Sequence, residues 1–479
     1  MSFTTPLFLF LFLPLSLILY RFIPGDRGRN LLLSALSLLF IAFGQLSGLP
    51  ILLASALINW FAGRASAEGQ PRRKAALCIA VAANVLLLGV FKYTAFAVEN
   101  LNLFLQLGLR VPKLLLPLGV SFYTFQGLTY VIDIYRGEAE PAERFADYFL
   151  FLTFFPQFLM GPILRWKDVR LQLPHRDLSL DAAASGACRF VIGLVKSSIL
   201  AGSLGSAADT VFDSVLGTAA GLIDLRLAWL GAVCYTLELY FDFSGYSDMA
   251  LGLSRIFGFR FAENFNFPYV SASVREFWRR WHISLSTWFR DYVYIPLGGS
   301  RKGKLRTIRS RFVVFLLTGV WHGADWTFLF WGLMHGLLVN LEDLGVIPIR
   351  KLEKSRPGRI LCRIYTLLAV TLLFVIFRAD TLQSGFRLLG SLFAGGFRSG
   401  SELQLASILT PMNLVLLAVS LILAGPGGAW AAGKTAALCE GEGSSGGKVL
   451  FLCGIFLLFL LCLLFLAQGG FRPSIYMRF

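Results

Sequence analysis

The chain has 479 residues, of which 56% are hydrophobic and only 15% are charged, against about 25% charged residues in an average soluble domain. This composition excludes a soluble globular protein and, with 45 Phe, a disordered one, so it predicts a polytopic membrane protein. The net charge is +16, and in so apolar a chain this excess is typical of cytoplasmic loops beside anionic lipid rather than of nucleic-acid binding.

The first apolar segments lie at about 6–20, 30–43, 47–62 and 75–93. The joints after the first and third segments carry Arg and Lys, whereas the joint near 44–49 carries no charge. Because positively charged loops stay in the cytoplasm, this alternation predicts that the N-terminus lies on the outer side. Further apolar segments follow at about 114–133, 148–164, 187–206 and 225–253.

The stretch 254–311 breaks this pattern, because it holds 12 basic and only three acidic residues. It is predicted to face the cytoplasm. The apolar block 312–341 is flanked by positive charge on both sides, which predicts a hairpin or re-entrant element that turns near Gly323. Apolar segments at 361–378, 410–424 and 449–467 follow, with a Gly-rich joint at 425–447 that predicts a flexible loop. The whole chain is therefore predicted to be all-α, with about 11–13 membrane-embedded helices including re-entrant or interfacial elements.

His322 is a candidate catalytic residue, because titratable groups at membrane depth are costly and are functional candidates by default. It lies in the run GVWHGADW at 319–326, between apolar segments. A neutral imidazole can act as a general base near pH 7. Gly323 would permit a turn or a close approach of another chain, and Asp325 would cap the following helix. A structural histidine at a helix break remains the alternative.

The segment 271–292 is predicted to be one amphipathic helix. Its aromatic face carries Trp281 and Trp288, and its cationic face carries Arg275, Arg279, His282, Ser286 and Arg290. Such a helix can lie on anionic headgroups without any catalysis. Alternatively, the cationic face receives a phosphate-bearing donor, with His282 near the reacting group.

The remaining polar candidates favour structural roles. His335 is predicted to be a packed helix histidine, and His175 a solvated loop residue. Asp242 and Asp248 lie within or at the end of a long apolar segment, at a spacing that does not put them on one helix face, so structural pairing is expected. The seven Cys show no CxxC pair, and neither a disulfide framework nor a metal site is expected.

Several motifs in order resemble the membrane-bound O-acyltransferase superfamily, and within it the bacterial alginate O-acetyltransferase branch. They are SFYTFQ at 121–126, FPQ at 155–157, GP at 161–162, FDFSGYSD at 241–248, FAENFNFPY at 261–269, REFWRRWHISLSTW at 275–288, RDY at 290–292, YIPLGG at 294–299 and WHGA at 321–324. The resemblance covers about residues 115–340 and extends weakly to both termini.

This resemblance implies an α-helical membrane enzyme with a funnel or tunnel through the bilayer. It implies one membrane domain over 1–479, with N-terminal helices at 1–113, a motif-bearing catalytic core at 114–342 and C-terminal helices at 343–479. The invariant family histidine corresponds to His322 and the second family histidine to His282, so both are expected to be catalytic. The residues expected to contact the donor or substrate are Arg275, Trp278, Arg279, Trp281, Ser286, Arg290, Trp321, Asp242 and Asp248.

The implied reaction moves an acyl group, expected to be acetyl from cytoplasmic acetyl-CoA, to the outer side of the bacterial inner membrane. No permanently bound cofactor is expected. The implied partners are membrane lipid and a periplasmic or membrane-anchored esterase-like acetyltransferase that acetylates a polysaccharide such as alginate or a cell-wall glycan. D-alanyl transfer to teichoic acid from a carrier-protein thioester is one alternative. A transporter or a scaffold without chemistry is another.

Overall fold

The computed structural model describes residues 1–214, 223–301, 303–394, 396–397, 400–439 and 445–468. Across those ranges the chain is helical and contains no β-strand, which confirms the all-α prediction. In chain order the helices are α1 Leu13–Phe22, α2 Asp26–Gln45, α3 Leu49–Ala65, α4 Arg73–Leu88, α5 Thr94–Leu105, α6 Val120–Tyr135, α7 Phe145–Thr153, α8 Phe155–Phe158, α9 Trp166–Val169, α10 Leu180–Val195, α11 Gly202–Ser214, α12 Leu225–Ile256, α13 Val274–Arg280, α14 Ile283–Phe289, α15 Lys304–His322, α16 Trp326–Leu344, α17 Ile349–Leu352, α18 Arg356–Arg378, α19 Leu382–Ala394, α20 Ser401–Ile408, α21 Pro411–Ala424, α22 Pro426–Cys439 and α23 Ser445–Ala467.

Several helical stretches are long and apolar enough to cross a membrane. By length and composition, five qualify among the described residues, namely Asp26–Ala65, Arg73–Leu105, Leu180–Ser214, Arg356–Arg378 and Gly446–Ala467. The pair α20 and α21 would add a sixth, with a bend of 69° between the two helices. Multiple spans of this kind establish a multi-pass membrane protein, while the expected number of 11–13 embedded elements stays a prediction.

One compact unit comprises residues 1–190 and 249–262. Its interior holds a cluster of phenylalanines whose ring centroids lie between 5.3 and 6.3 Å apart, formed by Phe8, Phe12, Phe40 and Phe155. A pair of buried amides joins α3 to α4, because Asn84 Nδ2 donates to Asn59 Oδ1 at 2.7 Å and Asn59 Nδ2 donates back at 3.2 Å. These two buried amides thus satisfy one another.

The second compact unit comprises residues 191–248 and 263–479. Its central feature is a helical hairpin of α15 and α16, which confirms the predicted turn near Gly323. Glycines allow the two helix backbones to touch, because a Cβ added to Gly319 would lie 2.4 Å from the carbonyl oxygen of Phe328, and one added to Gly332 would lie 2.4 Å from that of Phe315. Small residues at such crossings are typical of helix packing in membranes.

The Gly-rich joint at 425–447 is not the loop that its composition predicts. Residues Pro426–Cys439 form α22, and α23 begins at Ser445; residues 440–444 lie outside the described part of the chain. Five alanines fall between 429 and 437, and Ala has the highest helix propensity of all residues. Their contribution offsets the cost of the glycines in this segment.

Candidate active site

The predicted continuous helix over 271–292 is wrong. Helix α13 ends at Arg280, Trp281 has an extended conformation with φ −101° and ψ 129°, and α14 begins at Ile283. Between the two helices His282 has a left-handed conformation with φ 44° and ψ 55°. Such a conformation costs a non-glycine residue about 1–3 kcal/mol and persists only where the surroundings enforce it.

The segment 264–266 provides that enforcement. On one side of the break the N–H of Ile283 donates to the carbonyl oxygen of Asn264 at 2.9 Å, and on the other the N–H of Asn266 donates to that of Arg280 at 2.9 Å. The fully buried side chain of Asn264 lies against His282, with 3.2 Å between its Oδ1 and the ring Nδ1. The break in the helix therefore turns the His282 ring to the interior, away from the exposed cationic side chains with which the sequence pattern grouped it.

The beginning of α13 is fixed by side chains that satisfy its free N–H groups. Ser273 Oγ accepts from the N–H of Glu276 at 3.0 Å, and Glu276 Oε2 accepts from that of Ala272 at 2.9 Å, an arrangement close to a capping box. The carboxylate of Glu342 from α16 accepts from the N–H groups of Val274 and Arg275 at 2.7 and 3.1 Å. A buried carboxylate from the hairpin thus anchors the helix that precedes His282.

His322 is the last residue of α15 and is only 3% exposed. The predicted cap is confirmed, because Asp325 Oδ1 accepts from the N–H of Thr327 at 2.9 Å. Gly323 has an extended φ of −163° that any residue can adopt. A Cβ at Gly323 would, however, lie 2.1 Å from the ring of Phe328, so this glycine permits a close approach next to His322.

An aromatic cluster brings three histidines together. The ring of Trp321 lies 5.9 Å from that of His282 and 4.9 Å from that of His322. The ring of Trp331 lies 5.1 Å from that of His322 and 4.9 Å from that of His335. Since His282 and His335 are both 0% exposed, the cluster forms a buried environment for imidazole groups.

His335 is a packed helix histidine, as its sequence context predicts. The indole Nε1–H of Trp278 donates to His335 Nδ1 at 3.2 Å. That bond requires a lone pair on Nδ1 and therefore places the ring proton on Nε2. The contact connects α13 to α16 and gives Trp278 a structural partner.

Burial controls the charge of His282. Desolvation lowers the pKa of His282 from 6.5 to about 3, because a cation is disfavoured where water is excluded. The ring is therefore neutral at physiological pH. Its Nε2 has no hydrogen-bond partner in the part of the chain that the structure describes, so one ring nitrogen remains available to a ligand.

The three arginines of the predicted cationic face have different environments. Arg275 is bound to Asp343 at 2.8 Å, together with Arg311 at 2.7 Å. Arg290 is exposed and pairs with the adjacent Asp291 at 2.7 Å. Arg279 is exposed. Both Arg275 and Arg290 pair with carboxylates, but only Arg279 and Arg290 are exposed. Exposed guanidinium groups can donate hydrogen bonds to a phosphate.

The other predicted site residues have protein partners of their own. Lys196 Nζ pairs with Asp248 at 2.6 Å, as the expected structural pairing requires, and Ser197 Oγ bonds Asp242 at 3.3 Å. Ser286 Oγ donates to the carbonyl oxygen of Trp278 at 3.0 Å and links α14 to α13. Trp281 is buried beside Phe277, with ring centroids 5.4 Å apart.

Sequence reasoning missed Asn264, Glu342 and Asp343. The motif FAENFNFPY contains Asn264, but nothing in its pattern distinguishes Asn264 from Asn266. A sequence signal was available for Glu342 and Asp343. They form an acidic pair at the end of an apolar block, in a chain with a strongly basic stretch that could pair with them. No three His, Cys, Asp or Glu residues converge as metal ligands in the described ranges.

The chain is similar to a known protein family and to several named proteins. Residues 144–361 match the family model of the membrane-bound O-acyltransferase family. The chain is 42% identical over 434 residues to the Pseudomonas aeruginosa protein named Probable alginate O-acetylase, with 88% of this chain and 81% of that protein covered.

Two further relatives are similar to this chain to a lesser extent. The peptidoglycan O-acetyltransferase of Helicobacter pylori is 37% identical over 81% of this chain and 79% of its own length. The teichoic acid D-alanyltransferase of Streptococcus thermophilus is 29% identical over 50% of this chain and 60% of its own length. Because the chain is 42% identical to the Pseudomonas aeruginosa relative over 88% of its own length and 81% of that relative's length, it belongs to the membrane-bound O-acyltransferase family and is an O-acyltransferase.

Proposed function

We propose that this protein transfers an acetyl group from cytoplasmic acetyl-CoA across the bacterial inner membrane for the O-acetylation of a polysaccharide such as alginate or a cell-wall glycan. The proposal rests on the similarity of this chain to a relative named as an alginate O-acetylase, which covers more than four fifths of both sequences. A relative named as a peptidoglycan O-acetyltransferase is similar over about four fifths of both sequences. Both names describe acetyl transfer to glycans.

In the proposed reaction His322 is the general base. It accepts the proton of an acceptor hydroxyl while the hydroxyl oxygen attacks the thioester carbonyl carbon. A new C–O bond forms, the C–S bond breaks, and the coenzyme A thiolate leaves and is protonated. A base placed in this way contributes about 10²–10⁴-fold to the rate. Transient attachment of the acetyl group to His322 is the alternative route for the same residue.

His282 and Trp321 complete the proposed reaction centre. The ring of Trp321 contacts both histidines, and the buried cluster keeps bulk water from the thioester, which would otherwise be hydrolysed. Exclusion of water also strengthens hydrogen bonds to the reacting groups. These features support acyl transfer over a scaffold role, in which buried imidazoles would serve packing alone.

Donor recognition is assigned to the exposed cations near this centre. Arg279 and Arg290 can donate charge-assisted hydrogen bonds to the phosphates of coenzyme A. Arg275 contributes indirectly, since its contact with Asp343 holds the start of α13 against α16. The positive charge of the surrounding stretch 254–311 supports a cytoplasmic entry side for the donor.

The proposal includes a partner on the outer side of the membrane. An esterase-like protein would receive the acetyl group and transfer it to the glycan. D-alanyl transfer is the weaker alternative, because the relative named for it matches only half of this chain at 29% identity.

The experiment uses inverted membrane vesicles from cells that make the chain, supplied with acetyl-labelled acetyl-CoA at their outward cytoplasmic face. We expect the labelled acetyl group to appear as an ester inside the vesicles, where added reagents cannot reach it. Vesicles that carry His322→Ala at equal abundance should contain no such ester. A chain that loads D-alanine from a carrier protein but not acetyl would contradict the proposal. Equal labelling in the His322→Ala vesicles would show that His322 takes no part in acyl transfer.

A further inference from the structure

We propose that Asn264 is a positioning residue that holds His282 in the tautomer with its proton on Nδ1 and its lone pair on Nε2. The proposal concerns the same reaction centre, and its consequence for catalysis rests on the proposed function. The tautomer itself follows from the hydrogen bonds around Asn264 and does not depend on that function.

The backbone N–H of Ser284 fixes the orientation of the Asn264 side-chain amide, because a backbone N–H can donate a hydrogen bond but cannot accept one. The backbone N–H of Ser284 points at Asn264 Oδ1 from 3.2 Å. A backbone N–H only donates, so the atom facing it must be the carbonyl oxygen of the amide and not its NH₂ group. The Ser284 hydroxyl donates to the same oxygen at 2.9 Å. On the other side of the amide, Asn264 Nδ2 donates to Ser247 Oγ at 3.2 Å.

This orientation determines where the His282 proton lies. Nδ1 of His282 faces Asn264 Oδ1 at 3.2 Å, and that oxygen can only accept. Ser284 Oγ also lies near Nδ1, but at the longer distance of 3.5 Å, and its hydroxyl donates to Asn264 Oδ1 at 2.9 Å. Two facing lone pairs would repel, so Nδ1 carries the hydrogen and donates it to Asn264 Oδ1. In a neutral imidazole the second nitrogen then holds a lone pair. Asn264 therefore leaves Nε2 of His282 as an acceptor.

The ring that carries this acceptor nitrogen belongs to the buried aromatic cluster around the proposed reaction centre. In the described residues Nε2 of His282 is buried without a hydrogen-bond partner. The ring packs against Phe243, with centroids 4.7 Å apart, and against Trp321, with centroids 5.9 Å apart, and Trp321 also contacts His322. A buried lone pair in this position can accept a hydrogen bond from a hydroxyl group. The opposite tautomer would present a donor there and could not accept that hydrogen bond.

Asn266 provides a matched comparison within the same segment. It is the same residue type two positions away and is exposed. It joins the helix break only through its backbone, because its N–H donates to the carbonyl oxygen of Arg280 and its own carbonyl accepts from the Arg280 side chain at 3.1 Å. A change of its side chain therefore tests the effect of mutating this segment without touching His282.

The test is nitrogen NMR of the full chain labelled with ¹⁵N-histidine in lipid bilayers. The chain has only four histidines, and His282→Gln identifies the signals of His282. In the wild type we expect a protonated Nδ1 and an unprotonated Nε2. Asn264→Leu removes the acceptor, and one lost hydrogen bond shifts the tautomer ratio toward Nε2–H by up to about tenfold. Asn266→Leu should leave the ratio unchanged, and Asn264→Asp, which keeps an acceptor oxygen, should retain the wild-type tautomer.

Acetyl transfer in the vesicle assay is measured on the same variants at equal abundance. Asn264→Leu should lower kcat with little change of KM for acetyl-CoA, and Asn264→Asp should restore most of the loss. If His282 carries its proton on Nε2 in the wild type, or if Asn264→Leu leaves the tautomer unchanged, the inference is overturned. If the wild type fails to transfer acetyl while the tautomer results hold, only the proposed function is refuted.

Discussion

The contact between α15 and α16 makes Gly332 a sensitive position for stability. A methyl group added there would lie 2.4 Å from the carbonyl oxygen of Phe315 and 3.1 Å from Gly319 Cα, whereas ordinary contacts begin at 3.4 Å. These neighbours are backbone atoms and cannot rotate away, so Gly332→Ala must separate the two helices by about 1 Å. Overpacking of this kind costs about 1–3 kcal/mol.

Part of this cost is offset, because Ala gains up to about 1 kcal/mol over Gly within a helix. We therefore expect Gly332→Ala to lower the free energy of unfolding by about 1–2 kcal/mol. Gly390 in α19 is the matched control, because nothing lies within 4 Å of an added Cβ there, and Gly390→Ala should be neutral or slightly stabilising.

Unfolding in mixed micelles, titrated with SDS and followed by tryptophan fluorescence, measures both variants. Gly332→Ala should also reduce acetyl transfer, because the neighbouring Trp331 contacts His322. Equal midpoints for Gly332→Ala and Gly390→Ala would refute the close backbone contact on which this reasoning depends.

Three further results are expected. Asp343→Asn should lower the free energy of unfolding by about 1–3 kcal/mol in the same SDS titration, because it leaves the arginines around it without their carboxylate; an unchanged midpoint would contradict this. Burial lowers the pKa of His282 from 6.5 to about 3, so below pH 6.5 the unfolded chain binds a proton that the folded chain does not. Wild-type stability should therefore fall between pH 6.5 and 3, and His282→Gln should make that decline shallower; parallel curves would argue against a neutral His282. Arg279→Ala should raise KM for acetyl-CoA about tenfold with kcat unchanged, while Arg359→Ala, at an exposed arginine in α18, should not; equal KM values would remove Arg279 from donor binding.

The hairpin of α15 and α16 was predictable from sequence for a physical reason. An apolar block too long for one span, with positive charge at both ends and a Gly near its middle, has few alternatives to a turn. Asp325 likewise indicated the start of the second helix, because Asp is a favoured N-cap residue. Local signals of this kind do not depend on distant residues.

The break at His282 was not predictable from the same kind of evidence. The aromatic and cationic residues of 271–292 keep a helical period through Trp281 and His282, so periodicity alone favours one helix. The break depends on backbone and side-chain hydrogen bonds from 264–266, which no local pattern encodes. The partnership of Trp278 with His335 joins residues 57 positions apart and is equally invisible in the sequence.

The most direct test of the proposed acetyl transfer is the amount of alkali-labile acetate in the polysaccharide of cells whose only copy carries His322→Ala. The control is His175→Ala, at an exposed loop histidine, with both proteins matched for abundance in the membrane. Loss of a general base predicts a reduction of about 100-fold or more for His322→Ala and no change for His175→Ala. Full acetylation by His322→Ala at normal abundance would contradict a catalytic role for this histidine.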